Sequence, residues 1–320
     1  MHAALVRSFD APPRYETVEA PTPRTEDHVL VDVLAAGLHP RVRSDANGSH
    51  YTTSAGKLPF VPGIDAVGRT EDGELLYFVA PDDVPGTMAG KALADRRRAV
   101  VLPAGTDPVA VAAAMNPGMS SWVALRRRAH LEPGGKVLIL GATGNAGMLA
   151  VQIAKHLGAG EVVAAGRNAA RLALLPGLGA DATVPLAGDP AATADALGRD
   201  AGDADVVLDY LWGPVTESAM RAVLTARPDR AKPLAWVQIG AVAGPGITLP
   251  SALLRGAALQ LTGSGQGSVS TAGILAELPA LAAHITSGRL AVTPVPVPLK
   301  DVESAWTSPA APGHRVVLTP

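Results

Sequence analysis

The stretch Leu140-Gly141-Ala142-Thr143-Gly144-Asn145-Ala146-Gly147 decides the fold. It follows Lys136-Val137-Leu138-Ile139-Leu140, a run too uniformly apolar to have a wet face, which reads as a strand inside a parallel sheet. It precedes a helical segment, 145–157, in which Ala150, Ala154 and Leu157 recur at helical spacing. Small residues in such a turn let the backbone bend tightly and let a pyrophosphate approach the helix N-terminus, where free N–H groups and the helix dipole favour negative charge. The spacing is G-x-x-G-x-x-G, with Ala142-Thr143 where the G-x-G-x-x-G pattern has its central glycine. The flanking strand and helix make this a dinucleotide site rather than an ordinary turn. Gly141, Thr143, Gly144, Asn145, Ala146 and Gly147 are its expected contacts.

Downstream, apolar runs recur at 161–165, 182–186, 205–210, 235–239 and 258–262, separated by alanine- and leucine-rich stretches of helix length at 169–175, 191–197 and 215–224. With 136–140 they give the six strands of a complete doubly wound α/β sheet of the Rossmann kind. Glycines at the strand ends, Gly240 and Gly265 among them, permit close backbone approach to a cofactor. The second strand runs out at Gly166-Arg167-Asn168, so the residue about 20 positions past the motif is an arginine where an NAD-binding chain has a carboxylate for the ribose 2′-hydroxyl. An arginine there pairs with a 2′-phosphate instead, and Arg171, one helical turn on, shares it. The expected cofactor is NADPH.

Upstream the texture differs. Short extended segments at 3–7, 29–35, 66–70, 75–79 and 99–102 alternate with turn formers such as Asp72-Gly73 and Pro85-Gly86, the pattern of a β-rich domain. Helical texture follows at 108–115 and 120–128. Beyond Gly263 come a helix at 271–287, a proline-rich return at 294–298 and a last strand at 315–319, which is expected to rejoin the β-rich domain. The domains are therefore drawn as 1–115 completed by 288–320, and 116–287.

Composition removes several classes of function. A net charge of −2 with scattered basic residues suggests neither nucleic acid nor an anionic membrane as partner, and Arg96-Arg97-Arg98 and Arg126-Arg127-Arg128 read as solvated faces. The absence of cysteine excludes disulfides and every thiolate ligand or nucleophile. The opening Met1-His2-Ala3-Ala4-Leu5-Val6-Arg7 lacks the apolar core of a secretory signal, and no long uncharged apolar run follows, so a cytoplasmic protein is expected.

Taken in order, the opening residues, Ala35-Ala36-Gly37-Leu38-His39-Pro40, Pro62-Gly63-Ile64-Asp65-Ala66-Val67-Gly68, the glycine-rich turn, Asp205-Val206-Val207-Leu208-Asp209, Gln238-Ile239-Gly240 and Gly313-His314-Arg315-Val316-Val317-Leu318 resemble the zinc-free quinone oxidoreductases of the medium-chain dehydrogenase/reductase superfamily over essentially the whole chain. The resemblance implies a GroES-like catalytic domain beside the Rossmann domain, the nicotinamide lying in the cleft between them, and a homodimer. It implies a small quinone or α,β-unsaturated carbonyl as substrate. Alternatives are an enoyl thioester, or a redox sensor that binds NADPH without turnover. Where the zinc-dependent branch keeps its ligands this chain has His39, Ile64 and Asn116-Pro117, too few donors for a catalytic zinc. The resemblance also makes Tyr51 and His39 the candidates beside the nicotinamide, as proton donor or substrate-orienting group, and places the Ser120 hydroxyl at a cofactor-touching turn after Asn116-Pro117-Gly118.

Overall fold

The computed structural model describes residues 1–50, 58–81, 84–308 and 314–320. The chain divides into two compact units, 1–116 with 278–320, and 117–277.

The second unit is built on six parallel strands in the order Ala182–Pro185, Glu161–Gly166, Lys136–Leu140, Val206–Asp209, Leu234–Gln238, Leu259–Gly263. By sequence order that is 3-2-1-4-5-6, with the switch point between Lys136–Leu140 and Val206–Asp209. The four inner strands are buried almost throughout between the crossover helices, which is why they are near-continuously apolar. Leu138, Leu140, Val163, Val207 and Trp236 lie in one buried cluster with Leu197, Met220 and Val223 from the crossover helices. Local chemistry starts those helices. Asp189 caps Pro190–Ala201 by accepting from the N–H groups of Ala191 and Ala192, and Pro190 follows where a missing N–H costs nothing.

In the first unit, His28–Gly37 is central to a mostly antiparallel sheet, pairing with Asp65–Thr70, Lys91–Asp95 and the C-terminal strand Arg315–Thr319. Leu318 pairs with Ala36 and Val317 with Gly37, so the C-terminus closes the β-rich unit. The proline-rich return is itself a strand, Pro294–Pro298, at the sheet's edge beside Arg315–Thr319. Its three prolines alternate with Val295 and Val297, so the missing N–H groups fall on the side that needs none.

Two further expectations are corrected. Asn116-Pro117-Gly118 is not a turn: one helix, Pro108–Val123, runs through it and ends in a wide turn, Ala124–Arg128. Pro117 removes one helical hydrogen bond, yet Ala112–Met115 are buried to within 1%, and that burial holds the helix together. Nor is Arg126-Arg127-Arg128 merely solvated. Arg126 Nε and Arg127 Nε donate to the Glu277 carboxylate at 2.6 and 2.7 Å, Trp122 Nε1 adds a third bond at 3.0 Å, and Arg128 Nε reaches the Gly263 carbonyl.

Burial alone would raise the Glu277 pKa, but the bonds from Trp122, Arg126 and Arg127 outweigh it and hold the group below its ordinary value. A depressed carboxylate pKa adds stability above the unfolded-state value and loses it as pH falls through the folded-state value. Glu277→Gln is expected to cost about 1–2 kcal/mol at pH 7, the two arginines being half exposed to solvent. In urea melts the gap between wild type and variant should close as the pH is taken below the carboxylate range.

Candidate dinucleotide site

The glycine-rich turn is built by close contacts that only glycine allows. Gly141 has φ +90°, and its N–H and that of Ala142 both donate to the Ala165 carbonyl at 2.9 Å, fastening the turn to the second strand. Gly144 N–H closes back on the Gly141 carbonyl, and Gly144 then opens the helix Asn145–His156 in extended geometry with no side-chain cap. The first N–H groups of that helix are thus left for an outside acceptor. A Cβ on Gly147 would strike the Gly141 carbonyl oxygen and come within 2.6 Å of Ala142 Cα, so the helix can lie on the turn only with glycine there. Thr143, in place of the usual central glycine, covers Gly166 at the end of the second strand, where a Cβ would meet Thr143 Cγ2 at 2.5 Å.

Arg167 follows that strand end, exposed, with no ion pair among the described residues. Arg171 lies in the short helix Ala169–Leu172, begun by Asn168, whose Oδ1 accepts the Arg171 N–H. Its side chain turns back to the glycine-rich turn, where Nη2 donates to Asn145 Oδ1 at 3.2 Å. Partial burial lowers the Arg171 pKa from its ordinary value. The turn, an uncapped helix start and two arginines therefore meet at one corner of the sheet, a donor set that fits the phosphates of a dinucleotide.

At the switch point the fully buried Asp209 organises the neighbouring loop. Its Oδ1 accepts from the N–H groups of Leu211 and Trp212, and its Oδ2 from Thr216 Oγ1 at 2.7 Å and Trp236 Nε1 at 3.0 Å. The Asp209 carbonyl also accepts from Gly240 N–H, and a Cβ on Gly240 would press on the Tyr210 carbonyl. Tyr210 passes beside Gly141 and its phenol lies 3.0 Å from Ser120 Oγ, which donates to the Pro117 carbonyl. Burial pushes that phenol up to about 12. Ser120 is thus occupied as donor within its own helix, not presented by a turn. Gly265 lies past the edge strand, two strands from Val206–Asp209, and its N–H is taken by Ser268 Oγ. The Asp209 hub, the Tyr210–Ser120 pair and the Asn145–Arg171 contact were not foreseen; the Asp-Tyr pair at a strand end was the available sign of the first two.

In the first unit, His39 is buried to 1% with Nε2 3.0 Å from Asp65 Oδ1, while Tyr77 donates to Asp65 Oδ2 at 2.9 Å. A carboxylate only accepts, so Nε2 is the donor in this pair, and Nδ1 has no partner among the described residues. Burial, more than the neighbouring Asp65, lifts the Tyr77 pKa well above its ordinary value. Arg315 is also deeply buried, and desolvation brings it down to about 10 despite Asp65. Tyr51 lies outside the described residues. Among the described residues no three histidine, aspartate or glutamate side chains converge to hold a metal.

The strand order and the glycine cradle define a dinucleotide-binding protein of the Rossmann class. Residues 145–227 match the family described as zinc-binding dehydrogenase. The chain is 32% identical, over the full length of both, to a probable NADPH-dependent quinone reductase of Emericella nidulans. It is 30% identical to a 2-methylene-furan-3-one reductase of Solanum lycopersicum across 50% of this chain and 45% of that one. Among solved structures, the quinone oxidoreductase of Thermus thermophilus, also known in complex with NADPH, superposes over the whole of both chains with a TM-score of 0.83 and 25% identity. The chain belongs to the quinone oxidoreductases of the medium-chain dehydrogenase/reductase superfamily.

Proposed function

We propose that the protein is an NADPH-dependent reductase that passes hydride to a quinone or an α,β-unsaturated carbonyl without a catalytic metal. The observation that carries this is the glycine cradle beside Arg167 and Arg171, with no carboxylate at the end of the second strand. The full-length similarity to a quinone reductase supports the acceptor class. NADPH, when bound, supplies the hydride. The uncapped start of Asn145–His156 binds the pyrophosphate, Gly141 and Gly147 let it approach, and Arg167 with Arg171 takes the 2′-phosphate. Asp209 and Tyr210 hold the strand-end loop in place, so that positioning supplies the main part of the rate. Tyr51 is the group assigned to orient or protonate the acceptor oxygen. His39, bonded through Nε2 to Asp65, is assigned to hydrogen-bond the nicotinamide ribose or to act as an acid. The family implies a homodimer, and the reading places the enzyme in the cytoplasm.

Calorimetric titration with NADPH and NADH tests the cofactor assignment. Arg167→Ala is expected to weaken NADPH by about tenfold and to leave NADH nearly unchanged, because only the 2′-phosphate loses a partner. Equal losses for both cofactors would remove Arg167 from the site. The lack of cysteine and of a ligand at Ile64 leads to a second expectation. Dialysis against a strong chelator should leave turnover intact, measured against untreated protein with added zinc as the comparison.

A further inference from the structure

We propose that Asn145 is a positioning residue for cofactor choice: it aims Arg171 at the 2′-phosphate without cancelling its charge. This rests on the NADPH reading above. Arg171 arrives from the short helix that follows the second strand, and its guanidinium has five N–H groups to place. Nη2 is fixed by Asn145 Oδ1 at 3.2 Å and by Met148 Sδ, one helical turn further along the same helix, at 2.7 Å. Among the described residues nothing takes Nε or Nη1, and neither atom is buried without a partner. The Nε–H and the two Nη1 N–H groups are therefore left open beside the glycine-rich turn, donors for phosphate oxygens while Nη2 is held.

The residue type at 145 matters for its charge. Position 145 opens a helix, where the dipole would favour aspartate over asparagine. Aspartate would make the same hydrogen bond to Arg171, but as an ion pair that neutralises it and repels a dianion. Asparagine gives the orientation and leaves the charge. No acidic side chain pairs with Arg171 or Arg167 among the described residues, so this corner keeps a net positive charge for the 2′-phosphate.

The test uses the intact protein and two probes, adenosine 2′,5′-bisphosphate and 5′-AMP, which differ only in the 2′-phosphate. Their affinity ratio is the readout, since any loss at the shared 5′-phosphate or in folding divides out. Asn145→Asp is expected to lower the ratio by about tenfold, and Asn145→Ala by a smaller factor. In an Arg171→Ala background, Asn145→Asp should change the ratio little, because the residue it acts through is gone. An unchanged ratio in Asn145→Asp, or an equal drop with and without Arg171, would overturn the assignment. A wild type that does not prefer the bisphosphate would bring down the NADPH reading, and this inference with it. A wild-type preference lost in Arg171→Ala but kept in Asn145→Asp would bring down this inference alone.

Discussion

Asp209→Leu is expected to destabilise the protein by about 3–5 kcal/mol in urea unfolding, one of the two largest effects predicted for a single substitution here. Leucine shares the branching of aspartate, and although its methyls are bulkier than oxygens held 2.7–3.0 Å from their donors, the main loss is not one of packing. It comes from four donors left in a dry site: the Leu211 and Trp212 N–H groups, Thr216 Oγ1 and Trp236 Nε1. Trp212 is held at φ +56°, a backbone region that side-chain-bearing residues avoid, and the Asp209 bond to its N–H keeps it there. Released, the loop relaxes and cofactor affinity falls together with stability. A variant within about 1 kcal/mol of wild type would show that the loop is held by something else.

Gly147→Val should be as damaging, by steric means. Its Cβ would run into the Gly141 carbonyl and the backbone of Ala142, neither of which can yield without moving the turn off the Ala165 carbonyl. The gain in helix propensity over glycine, at most about 1 kcal/mol, is small beside that clash. The expected result is a loss of about 3 kcal/mol or more, with NADPH affinity down at least about a hundredfold in calorimetry. Gly177→Ala is the control, since its Cβ would meet nothing within 4 Å.

The Rossmann unit was readable because its signals are local. Lys136–Leu140 is bounded as expected, and the other five strands fall within a residue or two, since a strand covered on both faces is an unbroken apolar run between turn formers. The β-rich unit was less legible for the same reason in reverse. Arg14–Thr17 is nearly all exposed and carries no apolar pattern, and Pro294–Pro298 is a strand only because an edge tolerates missing N–H groups. At Asn116-Pro117-Gly118 local propensity pointed to a turn, and burial of the alanines before it overrode that. Of the site, the glycines and the two arginines were visible as types at a spacing. The pairings of Asn145 with Arg171, Asp209 with Trp236, Ser120 with Tyr210 and Arg126–Arg128 with Glu277 and Gly263 were not, because each partner lies far away in sequence and is brought near only by the fold.

The most direct test of the central claim is the fate of the C4 hydrogen of NADPH. Protein mixed with C4-deuterated NADPH and an α,β-unsaturated ketone, or with NADPH and a 1,4-quinone, is followed by cofactor oxidation and by mass analysis of the product. Hydride chemistry predicts oxidation of NADPH in preference to NADH, with deuterium bonded to the β-carbon of the reduced ketone. A protein that binds NADPH but oxidises it with neither acceptor, or that uses NADH equally well, would contradict the account.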